Sequence, residues 1–346
     1  MAPTFRIGVS PDLRGMIEPQ LAEHFGPLPA LAYEFMPEEP AEFPPELLQR
    51  YDAVISLLGR YTPASFRGVD RLAIIARWGV GYDMVDVPAA TASDVLLAIT
   101  PDAVRRPVAE GIMALLLALT RHLLVKDRLV RAGRWAEKSR YPGTGLAGRT
   151  LGSIGLGNIG AQLARMLRPF DLQRVLAFDP YLAPERAAEL GVELVPLETL
   201  LAESDFVCIN CPLTPATRHL IGEAQLRLMK PTALLINTAR GPIVDQAALT
   251  RALQEGWIAG AGLDVFEQEP LPADDPLTRL ENVILAPHAI AWTDELMREN
   301  SAGACRNVLA VLRGEVPAHT VNREVAARPG FQRKLADLRA RWREQS

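Results

Sequence analysis

Cysteine is scarce in this chain: three in 346 residues. Secreted disulfide frameworks need more, at closer and more regular spacing, so none is expected here. Charge of one sign is also missing. Lys and Arg total 37 against 41 Asp and Glu, a net charge of −4, which leaves no cationic footprint for nucleic acid. Long apolar runs are absent too, since "IMALLLAL" at Ile112–Leu119 is far short of the ~20 residues that span a bilayer. Met1–Ser10 carries no cationic start followed by an apolar stretch, so the expectation is a cytoplasmic protein with no membrane partner.

With 49% hydrophobic and 23% charged residues, the composition is that of a folded globular protein, long enough for two domains with separate cores. Short apolar runs alternate with helical patterns through most of the chain. "FRIGVS", "AVISLL", "RLAIIA" and "VLLAI" come first; "TLGSIG", "RVLAFD", "VELV", "FVCINC", "ALLINT", "AGAGLDV" and "VILA" follow. Such alternation predicts α/β architecture with parallel sheets covered on both faces. Between the two series, Asp102–Trp135 reads as one long helical stretch with an apolar middle that must be covered on all sides. Helical patterns also run from about Trp292 to Arg313, and at the end of the chain, where Phe331, Leu335, Leu338 and Trp342 share a face.

Cys208 and Cys211 form a CxxC, but inside a strand pattern, where positions three apart point to opposite faces. With no second ligand pair nearby, no metal site is expected.

"TLGSIGLGNIGAQLARML" carries GxGxxG as Gly155, Gly157 and Gly160, after a strand pattern and at the opening of a helix that includes Asn158 and Ile159. In that context the first glycine makes a tight turn, the second lets a pyrophosphate approach the backbone, and the third lets helix and strand pack closely. Nineteen residues on, "RVLAFD" ends in Asp179, placed to accept hydrogen bonds from ribose hydroxyls and to repel the 2′-phosphate of NADP. The expected cofactor is NAD.

Three later stretches hold chemistry. "LLINTARGPIVD" places Arg240 past a strand, "GLDVFEQEP" supplies Asp264 and Glu269, and "VILAPHAI" places His288 at a strand exit. In open parallel sheets, ligands bind at the carboxyl ends of the strands. Taken together with the glycine motif, these residues resemble the D-isomer-specific 2-hydroxyacid dehydrogenase family. The resemblance runs from about Arg6 to Asn322.

What the resemblance implies is a doubly wound NAD-binding Rossmann domain, residues 102–289, inserted into a flavodoxin-like substrate domain made of residues 1–101 and 290–346, with the active site in the cleft. It implies hydride transfer between nicotinamide and C2 of a small D-2-hydroxy or 2-keto acid. Arg240, Glu269 and His288 would form the catalytic trio. Imidazole can move a proton in either direction near neutral pH, a carboxylate on its other nitrogen fixes the tautomer, and the arginine fork grips a carboxylate and the C2 oxygen. Cys211, Pro212, Thr238, Ala239, Arg240, Gly241, Asp264 and His288 would line the cofactor. Val80 and Gly81 of "RWGVGYDMVD" would offer amides to the substrate carboxylate, and Trp292 would either wall the pocket or begin the next helix.

A homodimer built through the Asp102–Trp135 stretch is implied as well. The chain departs from the family pattern at Pro107, Asn210 and Trp292, which bears on substrate identity rather than on reaction type. The same residues are compatible with two alternatives: an NAD(H)-sensing regulator, and a dehydrogenase of a donor such as formate or phosphite.

Overall fold

The computed structural model describes residues 5–38 and 40–343, in two compact units, one of residues 1–104 with 293–346 and the other of residues 105–292.

The first unit is built on a five-stranded, all-parallel sheet. Its strands are β1 (Phe5–Val9), β2 (Leu31–Phe35), β3 (Ala53–Ser56), β4 (Ile74–Arg77) and β5 (Leu96–Ala98), in the order β2-β1-β3-β4-β5. That is the flavodoxin-like order, as expected. Strands β3, β4 and β5 are buried throughout, which is why they read as unbroken apolar runs. β2 went unread in the sequence. Its "LAYEF" is half-exposed, and Glu34 in its middle pairs with Arg6 and Arg50 at the sheet edge.

Helix Asp294–Leu312 packs on β3 and β4, and starts at Thr293, whose hydroxyl accepts the Leu296 amide. The closing helix, Pro329–Arg343, buries Phe331, Leu335 and Leu338 and leans Trp342 on Phe5 at 5.8 Å between ring centres. Lys334 fastens it by donating to the carbonyls of Leu72, Ser93 and Asp94.

The second unit holds a seven-stranded parallel sheet. Its members are β6 (Thr150–Ile154), β7 (Arg174–Phe178), β8 (Glu193–Leu194), β9 (Phe206–Ile209), β10 (Leu234–Asn237), β11 (Gly260–Leu263) and β12 (Val283–Leu285). The order is β12-β11-β10-β9-β6-β7-β8, so the strand sequence reverses direction between β6 and β9, creating the crevice where doubly wound sheets bind ligands. One face is covered by a core of Leu200, Leu226, Ile243, Leu249 and Leu253 with their neighbours, the other by Ile112, Leu115, Leu116 and Leu163.

The single long helix expected over Asp102–Trp135 is two. Helix Pro101–Thr120 ends, His122 takes a left-handed conformation at φ 51°, and helix Leu123–Arg131 departs at 58°. Leu115 and Leu119 of the first helix pack on the bare backbone of Gly262, where a side chain would lie 3.1 Å from Leu115. Leu123, Leu124 and Val130 of the second remain exposed, so the pattern over this stretch merged a core helix with a surface one. No single helix among the described residues is long and apolar enough to cross a membrane.

Candidate active site

The glycine motif sits in the β6 turn. Gly155 has φ 91°, and a side chain there would meet the Cys211 nitrogen at 2.8 Å and the Asn210 carbonyl carbon at 2.9 Å. A side chain at Gly160 would lie 2.7 Å from the Gly155 oxygen. Both glycines are therefore required by the protein's own packing. Gly157 is different: a Cβ there meets nothing within 4 Å. It is the N-cap of helix Asn158–Met166, with no side chain to cap the first amides, so the helix end is open to an anion. Space over that one glycine, beside unsatisfied helix amides, is what a pyrophosphate requires.

Asp179 follows β7. Its Oδ2 accepts the Leu156 amide at 2.9 Å and its Oδ1 the Tyr181 amide at 3.1 Å, which holds the carboxylate against the glycine turn. Beside it, Phe178, Pro180, Leu194, Val195 and Pro196 line a hollow of about 240 Å³, suited to a flat ring such as adenine. These residues fit NAD. Cys208 and Cys211 are free, their thiols pushed up to about 12 and about 11 by burial, and no cluster of metal-ligating side chains occurs among the described residues.

The candidate trio gathers at the carboxyl ends of β10, β11 and β12. His288 Nδ1 lies 2.7 Å from Glu269 Oε2, and Glu269 Oε1 accepts the Phe266 amide at 2.9 Å. Burial alone would push the Glu269 carboxyl up. The hydrogen bond and charge of His288, the Phe266 amide and the Arg240 guanidinium outweigh it and hold Glu269 below the usual carboxylate range. Glu269 is therefore anionic at neutral pH and must accept, so Nδ1 carries the hydrogen. No hydrogen bond to Nε2 occurs among the described residues.

Asp264, read from sequence as a cofactor contact, has a further task. Its Oδ1 accepts the amides of Ala289 and Ile290 at 2.9 and 3.1 Å, fixing the turn in which His288 stands at φ 55°. Burial raises its carboxyl above the ordinary range, against the pull of those two amides and of His288.

The Arg240 turn is held by Asn237, buried at the end of β10, which accepts the Ala239 amide and donates to the Arg240 carbonyl. Arg240 itself donates to the Ala239 carbonyl. The next residue, Gly241, presses on the Phe266–Glu267 backbone so closely that a Cβ would lie 1.9 Å from Phe266. The turns bearing Arg240 and Glu269 are thus in direct contact. Gly241 was expected from sequence to line the cofactor, not to carry this contact, and Asn237 was not singled out; the signal available was the "LLINTARG" run itself.

Thr238, Ala239, Cys211 and Pro212 lie in the loops after β9 and β10, at this same end of the sheet. Asn210, also there, donates to Ser153, while its buried Oδ1 has no partner. Trp292 lies outside the following helix, two residues before its start, and is 42% exposed. Val80 and Gly81 belong to the first unit. There Arg77, almost wholly buried, fixes their loop by donating to the Gly81 carbonyl at 2.9 Å and anchors the β3 exit through the Ser56 carbonyl at 2.8 Å.

Residues 113–289 match the family described as D-isomer specific 2-hydroxyacid dehydrogenase, NAD binding domain. A glyoxylate reductase of Korarchaeum cryptofilum is 47% identical over 294 residues, covering 83% of this chain and 88% of that one. Among solved structures, the D-lactate dehydrogenase of Aquifex aeolicus, complexed with NAD and lactic acid, aligns with a TM-score of 0.80 at 28% identity, over 90% of this chain and 96% of that one. An acyclic imino acid reductase in complex with NADPH and D-Arg aligns with a TM-score of 0.79 at 25% identity, over 91% and 99%. The chain belongs to the D-isomer specific 2-hydroxyacid dehydrogenase family, as an NAD-dependent enzyme that moves a hydride between nicotinamide and a 2-hydroxy or 2-keto acid.

Proposed function

We propose that the enzyme reduces a small 2-keto acid of the glyoxylate type, with His288 as acid/base, Glu269 as its orienting carboxylate and Arg240 as the substrate anchor. The observation that carries this reading is the 2.7 Å bond between His288 Nδ1 and an anionic Glu269, which leaves Nε2 as the nitrogen that meets substrate. Bound NADH supplies the hydride that arrives at C2. The chain's residues do the rest. The Arg240 fork binds the substrate carboxylate and the C2 oxygen, polarising the carbonyl. His288 Nε2–H gives its proton to that oxygen, and Glu269 offsets the positive charge of the ring until it does. In oxidation the neutral ring takes the proton back.

Residues 105–292 are assigned NAD, and the unit containing Val80 and Gly81 is assigned the substrate carboxylate, through backbone amides. Gly157 and the amides of Asn158 and Ile159 take the pyrophosphate; Asp179 takes the adenosine ribose. Trp292, exposed four residues beyond His288, limits substrate size. Glyoxylate as the substrate is supported by the 47% identity to a reductase of that name over most of both chains. NADH oxidation with glyoxylate, hydroxypyruvate, pyruvate and a branched keto acid tests it: glyoxylate should have the highest kcat/KM, and tight NADH binding with no turnover on any of them would overturn the reading.

We also assign a homodimer and a cytoplasmic location. Leu123, Leu124, Val130 and Trp135 expose apolar surface along one short stretch, the kind of patch that subunits cover, and the free cysteines suit a reducing compartment. Light scattering should give twice the chain mass for the native protein, with monomer appearing on Leu124→Glu; a native monomer would remove the dimer.

A further inference from the structure

The second unit contains another histidine–glutamate pair, outside the trio. His219 Nε2 lies 2.7 Å from Glu267 Oε1, two residues before Glu269. His219 is one of five non-glycine residues among those described with positive φ, at 51°. That conformation is costly for a residue with a side chain, and it persists where surrounding contacts determine it.

Those contacts reach both turns of the candidate site. The His219 amide donates to the Pro242 carbonyl at 2.8 Å, and the Ile221 amide to the Ile243 carbonyl at 3.1 Å, so the His219 loop is laced to the segment just after Arg240. The imidazole reaches the other way, to Glu267. Glu267 is held a second time by Gln246, in a reciprocal pair: the Gln246 amide donates to Glu267 Oε1 at 3.2 Å, and the Glu267 amide to Gln246 Oε1 at 3.0 Å. Between these points the backbone of Phe266 and Glu267 rests on Gly241, and the Phe266 amide holds Glu269.

We propose that His219 is a positioning residue: its imidazole holds Glu267, and with it the turn that aims Glu269 at His288, while its backbone holds the Arg240 turn. An exposed polar pair contributes little to stability, and this one is half-exposed on both sides, so a merely structural role would have little effect of any kind. Geometry is where its effect belongs. A displacement of the Glu269 turn lengthens the bond to His288, and small misplacements of reacting groups are costly to rate.

The inference rests on the acid/base reading of His288 and Glu269, and its test separates the two. The charged groups around His288 are Glu269, Asp264 and Arg240, and Glu267 is the charged partner of His219. Keto-acid reduction is followed across pH for the native enzyme and for Glu269→Gln, His219→Ala and His219→Gln. His219→Ala should lower kcat by roughly three- to tenfold. It should move the alkaline limb to lower pH, in the direction of Glu269→Gln but by less, with NADH affinity unchanged. His219→Gln carries a side-chain N–H that can reach the position of Nε2, so it should recover rate and limb together. His219→Ala with native rate and native limb overturns the inference, as does a loss that His219→Gln does not repair. If Glu269→Gln itself leaves the limb in place, the acid/base reading falls and this inference falls with it; a limb that moves in Glu269→Gln but not in His219→Ala removes the inference alone.

Discussion

The two ends of the seven-stranded sheet each carry a carboxylate held below its ordinary range. At the amino end, Asp205 sits before β9. Burial would raise it, yet the Thr150 amide at 2.9 Å, Lys230 at 3.1 Å and Arg149 at 3.5 Å outweigh that. At the carboxyl end, Glu269 is lowered by His288, Phe266 and Arg240 against the same opposing burial. The direction of the shift therefore does not distinguish a structural cluster from a catalytic one. Two other features do. The amino-end cluster spends its carboxylate on backbone and fixed cations that brace β6, β9 and β10. The carboxyl-end cluster terminates in an imidazole whose Nε2 is left for something else, and it lies at the end of the sheet where the glycine turn and Asp179 also converge.

Substitutions that sharpen this contrast differ most in turnover. The largest loss is expected for His288→Ala, which should cut kcat by about 10²–10⁴-fold, the usual contribution of general acid/base catalysis, while NADH binding measured by fluorescence stays native. Arg240→Lys comes next: a point charge replaces a planar fork, so kcat/KM for the keto acid should fall roughly 10–100-fold with NADH affinity unaltered. Near-native turnover would reduce Arg240 to a structural cation. Asp179→Ala acts on the cofactor site, and also releases the Leu156 and Tyr181 amides that the carboxylate holds. Loss of the acceptor for the ribose hydroxyls should cost about 1–3 kcal/mol of NAD affinity, narrow the preference over NADP, and leave kcat at saturating NAD close to native. Native discrimination in that variant would refute the ribose role.

Asp205→Ala should change turnover least. Instead it should lower unfolding stability at neutral pH by about 1–3 kcal/mol, because the Thr150 amide and Lys230 lose their acceptor. The sign with pH follows from a lowered carboxyl: the stabilisation is complete above the unfolded-state pKa and is lost as pH falls through the folded one. Urea unfolding in acid should therefore show native and variant proteins converging. A variant that loses activity but not stability would erase the distinction between the two ends.

What could be read from the sequence follows the same division. The other strands read as short apolar runs, so every strand but β2 was visible; β2, half-exposed with Glu34 paired to Arg6 and Arg50, has no such signature. The glycine motif and Asp179 were legible because their spacing encodes a turn and a strand end. The trio was implied by the family resemblance, with positions after strands in support, and the structure brings the Arg240, Glu269 and His288 side chains together.

Gly241 and Asp264 were named from the sequence as cofactor residues, but the supporting contacts they and Asn237 make were not legible. Asn237 inside its turn, Gly241 against Phe266, and Asp264 on the Ala289 and Ile290 amides act through contacts between loops distant in sequence, which have no period to read. The break at His122 was hidden for a related reason. Periodicity continues through Arg121–His122, and only the left-handed residue divides the buried helix from the exposed one.

The coupling of Glu269 to His288 underlies every role assigned to this site. Its direct test is the pH dependence of both reaction directions in Glu269→Gln, under conditions where deuterated NADH shows hydride transfer to limit the rate. Reduction needs the imidazolium and oxidation the neutral ring, and the glutamine keeps the shape while removing the charge that favours the imidazolium. The alkaline limb of reduction and the acid limb of oxidation should therefore both move to lower pH, by the same amount. Profiles that superimpose on those of the native enzyme in both directions would contradict the assignment of His288 and Glu269 as the acid/base pair.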